Sequence, residues 1–584
     1  MRRSVLLFLL PTILWAGPID YKVHFLGLDD KETLDTVKGA SFLATLKKKK
    51  PISINALRYR AESDIPDILK ALHSHGYYDA MAHIQIAEEG DEVDVFVMIQ
   101  PGPVYTIGSF EATVTSEGSP LLCKSISPES LGIAISTPAA TIKILDAEQK
   151  ALALLSECGY PLATITGREF VADYKTKSVT IHLSVDAGSL SKFGPVKIEG
   201  APDIKKKLFK NKVSWKEGEV YDTKLVDETQ KKLLDTGLFS SVIITHDDVL
   251  DKQHELPMRI EAVETKHKNI NVGASYQTFF GPGLTFGWEN RNIAGMGRTL
   301  SLKGDVTART HTGTATYFVP DWLRVDQDYV LLAQAMQESI YTYHEQSYNL
   351  TQRIERRIDT RYRISIGTKL ERLLVTNSVA NGTFTLLEVP LYFRFSSANS
   401  LLDPTKGSTV EVKAIPSINF SHMDRYYLYG AVSYAYYKQV TPTNFFVIAN
   451  LITVNAILSA HLDSVPVPKR VLGGTDEILR GYRFKTVSPR DGHKPIGGRF
   501  GLFYTVEGRF RISRTIGIVP FFDLGQVDLS YFPKWDEKWY KSVGIGFRYF
   551  TFLGPIRFDV AFPLDRRKHI DSRYRLLVSI GQTF

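Results

Sequence analysis

The sequence is poor in cysteine and in unbroken apolar segments, and each shortage narrows what the chain can be. Only two residues of 584 are cysteine, Cys123 and Cys158, so at most one disulfide can form within the chain. Beyond the first 16 residues, polar or charged residues interrupt every apolar stretch, so we expect no helix that spans a bilayer. Residence in a membrane would then have to come from strands.

Several signatures of enzymes and metal sites are also missing. The sequence contains no His-Glu-x-x-His metalloprotease motif, no P-loop, no Gly-x-Ser-x-Gly elbow and no identifiable pair of hydrolytic carboxylates. His73, His75 and His83 lie close in sequence, but an i, i+2 spacing on a helix points the first two side chains apart. We therefore expect no enzyme activity, no metal site and no cofactor.

The charge distribution argues against nucleic acid as a partner. The formal net charge is +8, but the 71 basic residues are interleaved with 63 acidic ones rather than gathered on one stripe. One short basic run, Lys47 to Lys50, is typical of a solvated loop, and a contact with anionic lipid or a partner is the alternative.

The start of the chain resembles a secretory signal. Met1-Arg2-Arg3 is followed by the apolar run Ser4 to Leu14 and by small residues, which predicts a signal peptide at 1–16 with cleavage after Ala16. An uncleaved anchor is disfavoured because the apolar run is too short to span a bilayer. An oxidising compartment permits a disulfide between Cys123 and Cys158, and two unpaired thiols are the alternative.

The first half of the chain repeats a unit about 80 residues long. Amphipathic helical patterns end at Gly76, Gly159 and Gly237, and an aromatic residue follows each glycine. A pair of alternating strands comes after each glycine and one lead strand comes before each helical region. The pattern predicts three β-α-α-β-β modules at 17–104, 105–190 and 191–266.

After residue 266 the helical period disappears and polar and apolar residues alternate, as in 361–369 and 410–414. A soluble sandwich would bury the apolar face under a second sheet, whereas an outer-membrane barrel turns it to lipid. At about 20 residues per strand and loop, 267–584 supplies about 16 antiparallel strands, and the last residues alternate and end on Phe584. We expect an interfacial girdle from the tyrosines at 426, 427, 429, 434, 436 and 437.

One arginine in this barrel region is the best candidate for a functional residue. Arg480 lies in a segment rich in glycine, and a cation inside a lipid-embedded barrel needs a carboxylate partner. Glu507 and Asp523 are the candidates downstream. The alternative is that Arg480 is a surface-loop charge and Asp523 a turn residue. Nearby glycines either permit a tight loop or are ordinary turn residues; they are Gly473, Gly474, Gly497 and Gly498.

The order of several short motifs resembles the bacterial outer-membrane assembly proteins that join POTRA modules to a 16-stranded barrel, the BamA/TamA superfamily. The resemblance covers almost the whole chain after the signal. The motifs that carry it are residues 76–80 (Gly-Tyr-Tyr-Asp-Ala), 101–105 (Pro-Gly-Pro-Val-Tyr), 289–297, 402–407, 479–482 (Leu-Arg-Gly-Tyr) and 554–559. Three modules make the chain most similar to TamA-type members, because BamA-like proteins carry five and two-partner secretion transporters usually carry two behind a plug helix.

The resemblance implies a bacterial surface antigen type barrel at 267–584 in the outer membrane, with the modules in the periplasm. It implies that a loop folds back into the barrel and is locked against the inner wall by Leu479, Arg480, Gly481, Tyr482, Glu507, Phe521 and Asp523. Leu479 departs from the family, which often has Val or Ile there.

The same resemblance implies a weakly paired seam between a first strand near 269–277 and a last strand near 573–584. Seam residues would be Gly273, Gly581 and Phe584. The implied function is assembly or translocation of client outer-membrane or exported proteins, with a TamB-like periplasmic partner and outer-membrane lipid. A two-partner secretion transporter and a passive channel or receptor are the alternatives.

Overall fold

The computed structural model describes residues 19–89, 92–116, 123, 126–251, 253–423, 425–443, 445–551 and 554–580. The predicted signal peptide, 1–16, lies outside these residues. Contacts divide the chain into two compact units: Met1–Glu199 with Val213–Lys231 and Ile243–Glu261, and Gly200–Lys212 with Lys232–Val242 and Ala262–Phe584. Within the described part of the chain, every helix is too short or too polar to cross a membrane.

The first module is a three-stranded sheet covered by helices. Its elements are β1 (Tyr21–Leu26), α1 (Lys31–Ala40), α2 (Phe42–Thr45), α3 (Ile54–Ser74), β2 (Met81–Glu89) and β3 (Glu92–Gln100). The strand order is β1-β3-β2, with β1 parallel to β3 and β2 antiparallel to it. The Asp64 carboxylate is fully buried and accepts hydrogen bonds from the Ser41 hydroxyl at 2.5 Å and the Leu43 N–H at 2.8 Å, which satisfies the start of α2.

The second module contains β4 (Thr106–Thr115), α4 (Thr141–Glu157), β5 (Thr164–Asp173) and β6 (Ser178–Asp186), in the strand order β4-β6-β5. A disulfide joins Cys123 to Cys158, whose Cα atoms are 5.5 Å apart, at the edge of the module's apolar core.

The third module contains β7 (Lys192–Glu199), α5 (Lys206–Lys212), α6 (Thr223–Leu234), β8 (Phe239–His246) and β9 (Glu255–Glu264), in the strand order β7-β9-β8. Among the residues that the structure describes, the third module alone has the expected two helices. The first module has three, because Ser41 and Ser53 each cap a new helix. The second has one, because 126–140 forms turns and contains Pro128 and Pro138, which lack the N–H that a helix interior needs.

After the third module, the described residues form one antiparallel sheet of seventeen strands and one small hairpin. Its first twelve strands are β10 (Lys268–Gln277), β11 (Gly281–Ile293), β12 (Arg298–Thr307), β13 (Thr310–Val319), β14 (Gln327–Ser339), β15 (His344–Arg357), β16 (Tyr362–Thr376), β17 (Gly382–Glu388), β18 (Leu391–Ser396), β19 (Gly407–Asn419), β20 (Tyr426–Gln439) and β21 (Phe446–Ser459). A separate two-stranded sheet consists of β22 (Arg490–Asp491) and β23 (Lys494–Pro495). The large sheet continues with β24 (Phe500–Arg511), β25 (Ile516–Asp528), β26 (Tyr540–Thr551), β27 (Gly554–Pro563) and β28 (Arg575–Ile580).

The short strands β17 and β18 follow one another along a single continuous register. Both β17 and β18 lie between β16 and β19, and the pairing of Glu388 with Lys369 continues three residues later as the pairing of Leu391 with Ile366. The interruption falls at Pro390, which has no N–H to donate to the ladder.

Side chains of the large sheet alternate between two faces. We call the face that carries Glu507 and Asp523 the inner face and the opposite one the outer face. The expected tyrosine girdle is wrong for half of its members. Registers place Tyr427, Tyr429 and Tyr437 on the inner face, while the outer face carries the exposed rings of Tyr426, Tyr434 and Tyr436. Adjacent tyrosines cannot share a face because the side-chain period of a strand is two.

An uncharged stretch of the sequence also forms a strand. Residues 439–462 contain no Asp, Glu, Lys or Arg, and most of them belong to β21. Val447 and Ala449 are buried on the inner face, and Ile448 and Ile452 lie on the outer face, so both faces of this strand are largely apolar.

The first and last strands are the edges of this sheet. The first, β10, begins one residue before its predicted start, and Gly273 lies opposite Thr285 on the inner face. The last, β28, is shorter than predicted within the described residues, and Gly581 and Phe584 lie outside them. Some Cα atoms of β10 and β28 lie within 8 Å of each other, but no ladder joins the two strands among the described residues.

A polar contact links the first two modules. The Asp79 carboxylate accepts a hydrogen bond from the Tyr105 hydroxyl at 3.0 Å and an ion-paired one from Lys177 Nζ at 2.7 Å. The hydrogen bond from Lys177 lowers the pKa of Asp79, and that from Tyr105 acts in the same direction.

Because the pKa of Asp79 is lower in the folded chain, its contribution to stability is present above its ordinary value of 3.8 and is lost as the pH falls through the lowered value. We expect the calorimetric melting temperature of the modules to fall as the pH is lowered below 3.8, and to fall less in Asp79→Asn. Asp67→Asn, which removes an exposed i, i+3 pair with Lys70, is the control. Equal acid sensitivity of Asp79→Asn and the wild type would contradict the prediction.

Candidate functional site

The candidate site is the connection between β21 and β24, residues 460–499, which lies against the inner face of the large sheet. It contains two short 3₁₀ turns, Leu462–Ser464 and Val467–Lys469, and the β22–β23 hairpin. Arg470 connects the start of this segment to its end, because its Nε donates to the Val465 carbonyl at 2.8 Å and its Nη1 donates to the Ile496 carbonyl at 3.0 Å. We call residues 460–499 the inner loop.

Arg480 is buried completely and binds carboxylates of the sheet. Its Nε and Nη2 donate to the two oxygens of Asp523 at 3.1 and 2.8 Å, which is a bidentate fork. Its Nη1 donates to Glu507 Oε1 at 2.8 Å, and its backbone N–H donates to Asp523 Oδ2 at 3.0 Å. All three residues have 0% exposure, so these bonds form without competition from solvent.

The rest of the predicted lock surrounds the guanidinium. The carbon at its centre lies 3.4 Å from the centroid of the Phe521 ring, in the geometry of a cation–π contact. A Cβ atom at Gly481 would lie 2.7 Å from Pro563 N and 2.8 Å from the Phe562 carbonyl carbon, so the loop backbone touches the backbone of β27. Glycine is therefore required for this close approach.

The residues on either side of Arg480 and Gly481 also pack inward. Leu479 is fully buried and has a φ of 53°, a left-handed conformation that β-branched residues avoid most strongly. Leucine, which is not branched at Cβ, is thus better suited to this backbone than Val or Ile. The Tyr482 ring is fully buried, and its hydroxyl donates to the Lys541 carbonyl at 2.8 Å.

The structure adds charged residues that the sequence did not single out. Asp559 on β27 lies 3.5 Å from Arg480 Nη1 and also pairs with Arg548 and Arg557. Arg509 pairs with the second oxygen of Glu507 at 2.9 Å. Four guanidinium groups and three carboxylates therefore share one buried network. Two of these residues had a signal in the sequence, because Arg557 and Asp559 belong to the motif at 554–559.

The inner loop contacts the last strand of the sheet and the turn that follows the first strand. On the last strand, Arg575 Nη1 donates to the carbonyls of Arg480 at 3.1 Å and Tyr482 at 2.5 Å. At the turn after the first strand, the Phe279 ring stacks on Phe484 of the loop with centroids 4.1 Å apart. The loop thus contacts β28 and the β10–β11 turn.

Two of the three histidines considered as metal ligands make local contacts. His73 stacks on Tyr78, and His75 Nδ1 lies 3.2 Å from the Ala71 carbonyl oxygen. A different group, Asp203, Glu264 and His267, has potential ligand atoms within 4.8 Å of one another. Within this group, Glu264 Oε2 and His267 Nε2 lie 2.8 Å apart, which is hydrogen-bond distance.

Comparisons with known proteins bear on this architecture. Residues 292–584 match the Omp85 superfamily domain, and residues 191–262 match POTRA, described as a surface antigen variable number repeat. The outer membrane protein assembly factor BamA of Nitratidesulfovibrio vulgaris is 23% identical over 548 residues, which cover 90% of this chain and 68% of that protein.

Two solved structures align with this chain. BamA from Haemophilus ducreyi lacking POTRA domains 1-3 has a TM-score of 0.67 at 17% identity, covering 81% of this chain and 99% of that one. CdiB from Acinetobacter baumannii has a TM-score of 0.45 at 12% identity, covering 95% of this chain and 99% of that one.

Replacing Arg480 by alanine leaves the carboxylates of Glu507 and Asp523 buried without their main cation. We expect Arg480→Ala to destabilise the seated loop by about 3–5 kcal/mol and to expose it to trypsin. Arg480→Lys keeps a charge but loses the fork and should give an intermediate result. Lys494→Ala, which removes a contact with Asn377 in a partly exposed part of the loop, is the control. Wild-type protease resistance in Arg480→Ala would contradict the prediction.

The close backbone approach at Gly481 gives a second test. An alanine there must move the loop away from β27, so we expect Gly481→Ala to increase trypsin cleavage of the loop while leaving every charged residue in place. Gly304→Ala, where an added Cβ meets no atom within 4 Å, is the matched control. Equal cleavage rates in the two variants would show that the contact is unimportant.

Proposed function

Because the chain belongs to the Omp85 superfamily, we propose that it assembles or translocates client proteins at the outer membrane, with the inner loop controlling the edges of its barrel. It is an outer-membrane β-barrel protein with POTRA domains in the periplasm. We propose the bounds 17–104, 105–190 and 191–266 for three such domains and 267–584 for the barrel. We also propose that β17 and β18 are one membrane strand interrupted at Pro390, which makes sixteen strand positions.

The observation that carries the proposal is the double attachment of the inner loop. Arg575 binds the loop to β28 and Phe484 binds it to the turn after β10, while these two edge strands share no ladder among the described residues. An unpaired edge presents N–H and C=O groups on which an incoming strand can template. The loop is placed to hold these edges near each other until a client strand adds.

The lock residues have a positioning role in this proposal. Leu479, Arg480, Gly481 and Tyr482 seat the loop, and Glu507, Phe521 and Asp523 form the wall that receives it. Gly273 weakens packing on the first strand, because glycine contributes no side chain there. Clients are proposed to be outer-membrane or exported proteins, which the periplasmic domains receive. The relative named an outer membrane protein assembly factor supports this class of client.

A finer proposal concerns the subfamily. Three POTRA domains support a TamA-like protein with a TamB-like periplasmic partner. Within the described residues, the edge strands β2 and β5 of the first two modules each have one neighbour in their sheets, and each can accept an extended segment. Copurification of a large periplasmic partner with the full chain would support this subfamily, and secretion of a single cognate exoprotein would support a two-partner transporter instead.

The proposed function is tested by adding an unfolded client barrel protein to liposomes that contain the full chain. We expect client folding to be several-fold faster than in empty liposomes and slower with Arg480→Ala, while Lys494→Ala behaves as the wild type. A bismaleimide crosslink between Gly273→Cys and either Leu577→Cys or Ser579→Cys should abolish the acceleration, because it closes the edges.

Each result of the liposome assay decides between functions. No acceleration together with free passage of ions would favour a passive channel and overturn the proposal. Acceleration that persists in the crosslinked protein would keep an assembly role but exclude the strand edges as its site.

A further inference from the structure

A groove of about 1130 Å³ crosses the outer face of the sheet from β10 to β17. Its lining follows two adjacent rows of paired residues that run across the strands. The floor, in the middle of these rows, consists of small residues: Gly304, Gly313, Ala315, Ala333 and Ala335.

The protein leaves the space next to the two glycines of the floor unfilled. A Cβ atom added at Gly304 or Gly313 would meet no other atom within 4 Å. Glycine in a strand interior weakens the strand and often marks the close approach of another molecule. Since the outer face of this barrel meets lipid, the molecule that fits the floor is an acyl chain.

Large apolar side chains bound the floor on both sides. Phe286 and Trp288 stand on β11, and Tyr348 and Leu350 stand on β15, all on the outer face and all lining the groove. Phe286, Tyr348 and Leu350 are 52, 63 and 52% exposed, so other side chains of the protein do not cover them.

One end of the groove carries a charge. Arg372 on β16 is exposed on the outer face, with Tyr348 and Thr385 as its cross-strand neighbours. Among the described residues, no hydrogen bond or ion pair engages its guanidinium. An arginine on the lipid-facing side of a barrel costs about 2–4 kcal/mol at the midplane and close to nothing near the headgroups.

The position of Arg372 along its strand places it near one membrane surface. The chain enters β10 from the periplasmic domains and every hairpin reverses direction, so β16 begins on the periplasmic side at Tyr362. Ten residues separate Tyr362 from Arg372, which is about 33 Å along the strand and about 23 Å along the membrane normal at a tilt of about 45°. The apolar band of such barrels is about 25 Å tall, so Arg372 lies at the headgroups of the outer leaflet.

We propose that this groove is a binding site for one anionic lipid of the outer leaflet. The lipid phosphate accepts hydrogen bonds from the Arg372 guanidinium, next to the hydroxyls of Tyr348 and Thr385, and an acyl chain lies over the small-residue floor. The charge of Arg372 selects a lipid with net negative charge, and the length of the floor selects an extended chain rather than a headgroup alone.

The test measures lipid retention by the full chain with native mass spectrometry after titration with phosphatidylglycerol or phosphatidylcholine of the same acyl chains. We expect about fivefold or greater preference for phosphatidylglycerol, which Arg372→Gln abolishes and Arg372→Lys largely keeps. Gly313→Leu, which fills the floor, should reduce retention of both lipids. Matched controls on the outer face outside the groove are Arg356→Gln and Gly430→Leu, and both should behave as the wild type.

Equal retention of the two lipids by the wild type, or an unchanged preference in Arg372→Gln, would overturn the proposal. An equal loss of preference in Arg356→Gln would also overturn it, since the selectivity would then come from charge in general. Heat-modifiable migration shows which variants fold. If Arg372→Gln does not fold, the comparison of Gly313→Leu with Gly430→Leu decides the question.

Discussion

The barrel part of this protein depends on one desolvated cation shared by carboxylates of neighbouring strands. Arg480 reaches Glu507 on β24, Asp523 on β25 and Asp559 on β27, so a single loop residue connects three strands. Burying this many charges is costly in isolation, and the cost is offset only when every carboxylate has a cation. Arg509, Arg548 and Arg557 complete that balance. The position of the loop therefore depends on the charges of the wall, and the burial of those charges depends on the loop.

Much of this site was predictable from the sequence. The residues that were missed depend on the register of the strands. A buried arginine needs carboxylates, and the motif resemblance named Glu507 and Asp523 among the wall residues. Asp559 is further away in sequence and reaches Arg480 only because the hairpins β24–β25 and β26–β27 align their inner rows. That alignment follows from turn geometry, which short motifs do not specify. Arg575 was missed for the same reason.

The fold shows the same division between local and long-range information. Alternation predicted strands after residue 266, and the glycines at 76, 159 and 237 marked helix ends. Counting aromatics near strand ends did not separate Tyr426 from Tyr427, because face assignment needs the register of each residue. Helix number in the modules depended on capping serines and on prolines. Whether seventeen or sixteen strands are counted depends on Pro390. There the ladder loses one N–H donor while its register continues.

The attachment of the inner loop to both β28 and the turn after β10 has a thermodynamic consequence. Two events that compete for the same contacts are coupled, and the coupling free energy is equal in both directions. If a client strand that binds this edge from the periplasm loosens the loop, then a molecule that displaces the loop from the cell exterior must also loosen the edge. The coupling free energy is the same in the two cases. A ligand outside the cell, such as an antibody against residues near the β22–β23 hairpin, would then change the affinity of the barrel for a client it never touches.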